Sequence, residues 1–239
     1  RELARRGFDL VITAWRKDRL EALAEELAAQ VAVQVLPCDL GRTGGSAELI
    51  AAVDALATPI DLLVNNAGIA HSGEFTSMRA EDIRGLVALN IAALTELTHH
   101  FAQQMKMRGS GRILNVASVA GFQPVPSMSL YAASKAFVLS LTEGLSEELR
   151  GTGVSITALC PGLTRTDMVE SLSAEGVPPF LMSSASQVAQ EGIDALLNRE
   201  VIRIPGAANQ AAVTWAKYQP RWLVRGLGGL VSRFTPPRN

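Results

Sequence analysis

Three side chains near the middle of the sequence have the chemistry to exchange a proton with an alcohol or a carbonyl. Tyr131 and Lys135 lie four residues apart in a segment of helical periodicity, so a helix places both on one face. A phenol ionises near pH ~10, and a neighbouring ammonium lowers that pKa. Ser118 ends an apolar run and can donate a hydrogen bond to the same substrate oxygen. Together these residues predict an acid–base site for an alcohol or a carbonyl.

Apolar runs alternate with amphipathic segments along most of the chain, which predicts strands alternating with helices. Such alternation implies right-handed crossovers and a parallel sheet covered on both faces, a doubly wound α/β fold. The predicted strands are residues 9–14, 31–36, 60–64, 112–117, 154–159 and 201–204, and helices are predicted at 79–107, 129–150 and 187–197.

The polar residues that follow these strands should meet at one edge of the sheet. Asp39, Asn65-Asn66-Ala67-Gly68, Ser118 and Pro161-Gly162 each follow a different apolar run. Doubly wound sheets bind ligands beyond the carboxyl ends of their strands. Ordinary turn chemistry explains any one of these segments, but not all four at once. With the Tyr131–Lys135 pair, they closely resemble the short-chain dehydrogenase/reductase family over about residues 1–206.

The resemblance implies a Rossmann fold that forms a single catalytic domain, residues 1–206, with an extension over residues 207–239. Tyr131 would donate or accept the proton, and Ser118 would orient the reacting oxygen. Lys135 would lower the pKa of Tyr131 and hold the ribose hydroxyls of a nicotinamide cofactor. Asn90 would anchor a water that connects Lys135 to solvent, although a structural kink or capping role is the alternative for this residue.

The resemblance also implies a cofactor groove. Asp39 would accept a hydrogen bond from the adenine amino group, with Leu40 beside the ring. Asn66, Ala67 and Gly68 would pass the adenosine ribose, and Gly68 lets backbone approach a ligand closely because it has no Cβ. Residues 161–166 resemble the family's P-G-x-x-x-T turn, which would hold the nicotinamide carboxamide through Pro161, Gly162, Thr164 and Thr166.

The end of the strand at 9–14 selects between the two nicotinamide cofactors. An Asp there accepts from the ribose 2′-hydroxyl of NAD, whereas an Arg suits the 2′-phosphate of NADP. This chain has Ala14-Trp15-Arg16 and no acid. Arg16 could reach the phosphate bidentately, with Trp15 stacking nearby. The alternative for Arg16 is a solvated surface charge. We therefore expect a preference for NADP, with NAD possible.

The first residues, RELARRG, have the pattern of a helix tail closed by Gly7. The family's first strand and its T-G-x-x-x-G-x-G turn would lie just upstream of Arg1. That strand is central in the sheet, and its loss would expose strand edges. We expect roughly the first twenty residues of the natural chain, a strand and a turn, to be missing from this sequence.

Composition limits the classes of function. The 239 residues, 48% of them apolar, suffice for one domain with a full core. A net charge of −1 argues against nucleic-acid binding. No run of about 18 apolar residues predicts a transmembrane span. The two cysteines fit a reducing compartment, and the adjacent His99 and His100 do not make a metal site. We expect a cytoplasmic protein with a small-molecule substrate and no metal.

The most consistent function is an oxidoreductase that transfers a hydride between NADP(H) and a secondary alcohol or ketone. Segments 119–130 and 168–182 should flank the substrate and carry apolar residues, although ordinary loop packing explains these equally well. The rival is a catalytically idle NAD(P)-binding sensor or assembly protein. A pure binder has no use for a proton relay, which argues against the rival. The apolar residues of the two segments are Phe122, Pro126, Met128, Phe180 and Met182.

Two regions predict contacts beyond the domain. Helices 79–107 and 129–150 carry more apolar surface than one sheet face covers, and the family pairs them across a two-fold axis, which implies a homodimer or homotetramer. The extension has no acidic residue from Gln210 onward, and it either packs on the domain or a second subunit, or contacts a membrane surface. Its apolar helical face comprises Leu223, Leu227, Leu230, Val231 and Phe234, with Trp215, Tyr218 and Trp222 nearby.

Overall fold

The computed structural model describes residues 1–165 and 182–220, together with residues 222, 223 and 226. Within these residues the strands pair only in parallel, in two sheets. One sheet has two strands and the other has four. The strands are β1 (Leu10–Ile12), β2 (Val33–Val35), β3 (Leu62–Asn65), β4 (Gly111–Val116), β5 (Val154–Leu159) and β6 (Ile202–Arg203).

Helices connect the strands and cover both faces. The strand order β3-β4-β5-β6 with helical crossovers confirms the predicted doubly wound α/β fold. The helices are α1 (Glu2–Arg5), α2 (Lys17–Leu27), α3 (Gly45–Asp54), α4 (Ala80–Val87), α5 (Leu94–Arg108), α6 (Ser129–Glu148), α7 (Ala185–Leu197) and α8 (Ala207–Tyr218). A π-helical turn, Ala88–Ala93, joins α4 to α5, and a short 3₁₀ turn, Val119–Phe122, follows β4.

Alternation along the strands divides the core between the two faces of the larger sheet. Ile113 packs in the cluster that contains Phe101 and Met105 of α5. The next residue, Leu114, packs in the cluster that contains Ile193 and Leu196 of α7. Successive strand residues point to opposite faces, so β4 is buried from both sides. A strand buried in this way holds its carboxyl end, where Ser118 follows, in a fixed position.

The edge of β1 that faces away from β2 has no strand partner among the described residues. β1 pairs with β2 alone, in the register Val11↔Gln34, and β3 pairs with β4 alone. Gly7, with φ +80°, follows α1 as the sequence predicted. The further central strand expected upstream of Arg1 stays a prediction.

Two details differ from the sequence-based elements. The helix predicted over 79–107 is interrupted by the π-helical turn, and the last strand is only two residues long. Within the described ranges, no helix has the length and hydropathy needed to cross a membrane. The cytoplasmic location stays a prediction.

Candidate active site

The carboxyl end of β4 and the first turns of α6 bring Ser118, Tyr131 and Lys135 together. Ser118 is buried, caps the 3₁₀ turn by accepting from the Ala120 N–H at 3.1 Å, and donates to the Pro161 carbonyl at 3.5 Å. Its hydroxyl also lies close enough to Tyr131 to lower the pKa of the phenol. The Lys135 Nζ lies 5.7 Å from the centre of the Tyr131 ring. The helix therefore places the phenol and the ammonium on one side, as their spacing predicted.

Lys135 is held in place by the backbone around it. Its side chain is 5% exposed, and its Nζ donates to the Val116 carbonyl at 2.8 Å. A Cβ on Gly121 would meet the Lys135 carbonyl oxygen at 2.8 Å, so the 3₁₀ turn packs directly against the backbone of α6. The close contact fixes the distance between Ser118, which starts this turn, and the helix that carries Tyr131.

Burial governs the pKa values of the phenol and the ammonium. It raises the pKa of Tyr131 above its usual value, and the hydrogen bond with Ser118 opposes this only in part. It also lowers the pKa of Lys135 to about 8. The sequence-based expectation that Lys135 lowers the Tyr131 pKa differs from this result. The reason is physical: desolvation dominates at Tyr131, and the ammonium is bonded to the Val116 carbonyl.

Asn90 lies in the π-helical turn and connects two other elements. Its Oδ1 accepts from the Ile69 N–H at 2.9 Å, and its Nδ2 donates to the Ile69 carbonyl at 2.9 Å and to Ser134 Oγ at 3.1 Å. It is 1% exposed. These bonds tie the segment after β3 to α6, which fits the structural alternative stated for this residue. The water-anchoring role stays a prediction.

Gly68 lies where the Asn90 and Lys135 side chains meet. A Cβ at this position would stand 3.3 Å from Asn90 Oδ1 and 3.5 Å from Lys135 Nζ. Asn66 and Ala67, which precede it, are exposed. The segment after β3 thus presents open backbone beside the buried ammonium, which is the arrangement that a ribose passing this loop requires.

A buried polar network beneath the site escaped the sequence analysis. Asn65 Nδ2 donates to Thr98 Oγ1 and to Asn115 Oδ1, each at 2.9 Å, and Asn115 Nδ2 donates to Thr142 Oγ1 at 3.1 Å. Each of these residues is 7% exposed or less. The network joins β3 and β4 to α5 and α6, just below Ser118. In the sequence, this network is marked by two asparagines in apolar strands, Asn65 at the end of β3 and Asn115 within β4.

The other half of the edge is more open. Arg16 caps α2, and its guanidinium lies 5.0 Å above the ring of Trp15, which is 68% exposed. Asp39 is exposed and accepts from the Gly41 N–H at 2.9 Å. Leu40 is 9% exposed and packs in the core with Leu49, so its predicted place beside an adenine ring stays untested.

The turn after β5 is held from the C-terminal side by a residue that the sequence analysis missed. A Cβ on Gly162 would meet Asn209 Oδ1 at 2.5 Å, and Asn209 Nδ2 donates to the Pro205 carbonyl at 2.9 Å. Asn209 belongs to α8, outside the part of the chain that carries the recognisable motifs. Thr164 Oγ1 donates to the Gly162 carbonyl at 3.1 Å. Thr166 lies outside the described residues, as does most of the predicted substrate segment 168–182.

Cys160, between β5 and this turn, is a buried neutral thiol. Burial raises its pKa to about 12, so it provides no thiolate at neutral pH. Both cysteines are unpaired. In the described part of the chain, no three His, Cys, Asp or Glu side chains are grouped as metal ligands.

Comparisons with known proteins agree with this geometry. The ketoacyl reductase HetN of Nostoc is 35% identical over 165 residues, which are 69% of this chain and 58% of HetN. A short-chain dehydrogenase of Sphingobium yanoikuyae, solved in complex with NADPH, is 37% identical to this chain with a TM-score of 0.80. The match covers 96% of this chain and 88% of the Sphingobium chain. A bulky-bulky ketone specific alcohol dehydrogenase of Comamonas testosteroni is 32% identical with a TM-score of 0.77, and the match covers 90% of this chain and 84% of the Comamonas chain.

Since this chain spans less than two thirds of HetN, the comparison with that protein leaves the activity of the whole protein open. The family assignment does not depend on it. Residues 1–176, which contain Ser118, Tyr131, Lys135 and the turn after β5, match the short chain dehydrogenase family as one continuous unit. By that match, the chain belongs to the short-chain dehydrogenase/reductase family.

Proposed function

We propose that the protein is an oxidoreductase that transfers a hydride between NADP(H) and a secondary alcohol or ketone, with Tyr131 as the acid and base. The observation that carries the proposal is the packing of Ser118, Tyr131 and Lys135 at one strand end. Lys135 is 5% exposed at this strand end, and burying an ammonium costs free energy. A proton-transfer role accounts for that cost.

Reduction needs a proton at the carbonyl oxygen. The raised pKa of Tyr131 keeps the phenol neutral at physiological pH, so its hydroxyl can donate that proton. Ser118 lies beside the phenol and would orient the same oxygen. The groove would hold NADPH, which would supply the hydride to the carbonyl carbon. Proton and hydride together convert the ketone to a neutral alcohol, and oxidation is the reverse.

The same edge offers the groups that a dinucleotide needs. Lys135 would hold the nicotinamide ribose hydroxyls beside the open backbone of Gly68. Asp39 and the exposed Asn66 would face the adenosine, and Pro161, Gly162, Thr164 and Thr166 would meet the carboxamide. Arg16 would bind the 2′-phosphate, which favours NADP over NAD. The NADPH complex of the Sphingobium relative supports this choice of cofactor.

An apolar ketone is the substrate class that we favour. Phe122 packs in a hydrophobic cluster next to the site, and Pro126 and Met128 are half-buried in the loop before α6. The Comamonas relative, which is specific for bulky-bulky ketones, supports a large apolar substrate. Met182 is half-buried, whereas Phe180 lies outside the described residues.

The experiment is a panel of aliphatic, aromatic and cyclic ketones offered to the full-length protein with NADPH or NADH. Oxidation of the reduced nicotinamide is followed by its absorbance. Turnover with NADPH and at least one apolar ketone is the expected result. Tight NADPH binding without turnover of any ketone or alcohol in the panel would favour the idle sensor or assembly protein instead.

We also propose a homodimer or homotetramer, on a smaller surface than the sequence suggested. Much of the apolar surface of the two helices is buried within the chain itself, including Leu86, Leu94, Leu97, Ala132 and Leu139. Val87 and Phe137 stay exposed, at 38% each, and Phe137 lines a shallow groove with Leu141 and Leu145. Light scattering at micromolar concentration tests the proposal, with Phe137→Asp as the disrupting variant. A fully active monomer would rule it out.

A further inference from the structure

The C-terminal helix α8 turns an apolar side toward solvent. No residue of this helix is buried, and only Asn209, Val213 and Ala216 are half-buried, on the side that faces the protein. A surface helix normally carries charged residues on its outer side. Here the outer side has a single charge, Lys217. Its exposed residues are Ala207, Ala208, Gln210, Ala211, Ala212, Thr214, Trp215, Lys217 and Tyr218.

Large aromatic side chains extend this apolar side. Trp215 is 51% exposed, Tyr218 is 78% exposed, and Trp222, just beyond the helix, is 67% exposed. Trp and Tyr have an apolar ring and a polar tip, and they concentrate at the boundary between water and lipid headgroups. Three such residues within one short stretch are difficult to explain as a face that meets only water.

Acidic and basic residues are distributed unevenly along the chain, and the change falls shortly before α8. Residues 1–200 contain all 23 acidic residues and 16 of the 22 basic ones. After Glu200 the sequence has no acidic residue and six basic ones: Arg203, Lys217, Arg221, Arg225, Arg233 and Arg238. Arg203 pairs with Glu191 and Glu200, which leaves Lys217, Arg221, Arg225, Arg233 and Arg238 as the cations of this segment that an anionic surface would attract.

We propose that Trp215, Lys217, Tyr218 and Trp222 form a docking face for an anionic phospholipid bilayer. A helix of 12 residues is about 18 Å long, too short to span the bilayer but suited to lie at its surface. The aromatic rings enter the headgroup region. Lys217 flanks them, and its long side chain can reach lipid phosphates while its stem stays on apolar surface. An apolar, aromatic outer side with a cation at its edge is the pattern of a helix that lies at a membrane interface.

The test is co-sedimentation of the full-length protein with vesicles of phosphatidylcholine alone or mixed with phosphatidylglycerol. The protein should pellet with the anionic vesicles and be released by salt, because salt screens the cationic contribution. Each basic side chain near such a surface changes partitioning by about fivefold, so Lys217→Glu should lower it by more than about tenfold. Trp215→Ser combined with Tyr218→Ser should lower it by about tenfold or more.

Met107→Ser is the matched control, since Met107 is an 81% exposed apolar residue at the end of α5. It should leave vesicle binding unchanged, and all variants should keep the wild-type circular dichroism. Equal pelleting of wild type and the aromatic double variant would overturn the proposal. So would an oligomer, seen by sedimentation velocity without lipid, that the double variant dissociates, because α8 would then be a subunit contact.

Discussion

The two halves of the candidate site are built differently. In the catalytic half, Ser118, Lys135 and Asn90 are buried and bonded to backbone of several elements. In the adenosine half, Trp15 and Asp39 are exposed, and their side chains contact Arg16 and the Gly41 N–H. Burial shifts pKa values, which proton transfer needs, whereas a charged ligand that arrives from water needs accessible partners. The buried residues therefore set the pKa values that proton transfer uses, and the exposed residues provide the contacts that would bind the adenosine part of the cofactor.

The largest effect should come from the catalytic half. Tyr131→Phe removes the proton-transferring oxygen and keeps the ring that packs beside Lys135, so the rate should fall by ~10²–10⁴-fold with nearly unchanged NADPH affinity. Steady-state turnover and cofactor titration measure the two quantities. Tyr218, the only other tyrosine, is 78% exposed, and Tyr218→Phe is the control that should keep full turnover. Turnover of Tyr131→Phe within twofold of wild type would remove Tyr131 from the mechanism.

In the adenosine half, Arg16→Ala should weaken NADPH binding by about tenfold to a hundredfold and leave NADH binding unchanged. Only NADPH carries the 2′-phosphate, and a charged hydrogen bond contributes roughly 1.5–3 kcal/mol. Lys17→Ala is the control, because Lys17 is next in the chain and pairs with Glu21 at 3.5 Å on the surface of α2. If both cofactors weaken equally, Arg16 acts through the structure of the loop and not through the phosphate.

Gly162→Ala tests whether α8 belongs to the catalytic half. The new Cβ would meet the Asn209 amide at 2.5–2.7 Å and push it from the Pro205 carbonyl. The clash falls on the end of a side chain that can turn away, so the loss of folding stability should lie at the low end of the about 1–3 kcal/mol typical of overpacking. Because the displaced amide lies against the turn that would hold the carboxamide, we expect cofactor binding to weaken by up to about tenfold.

Asn209→Ala in the same chain should restore most of the lost affinity, since it removes the clash. Gly144→Ala is the control, because a Cβ there meets nothing within 4 Å. A double variant as weak as Gly162→Ala alone would show that the turn itself, and not Asn209, requires glycine.

The sequence predicted what local patterns and motifs determine. The alternation of strands and helices places Ser118 at a strand end, and a four-residue spacing places Tyr131 and Lys135 together. What it could not predict depends on distant residues. Asn209 reaches Gly162 across 47 positions of the chain, and no local pattern marks that contact. The pKa of Tyr131 is raised, whereas the sequence analysis expected it to be lowered by Lys135. Burial of the phenol outweighs the neighbouring charge, and burial cannot be derived from the spacing of two residues.

The smallest effect, about twofold at pH 8, concerns the pH dependence of cofactor binding and again separates the two halves. Burial lowers the pKa of Lys135 from 10.5 to about 8, so the ammonium is present below that pH and is lost above it. If the charged form holds the ribose hydroxyls, NADPH affinity should fall about twofold at the pKa of Lys135 and then about tenfold per pH unit. Fluorescence titration of NADPH against pH measures this.

Lys135→Met should bind more weakly at every pH, and its affinity should not bend near pH 8. Arg16→Ala leaves Lys135 in place, so this variant should keep the bend. A bend that persists in Lys135→Met would assign the titration to another group and separate Lys135 from cofactor binding.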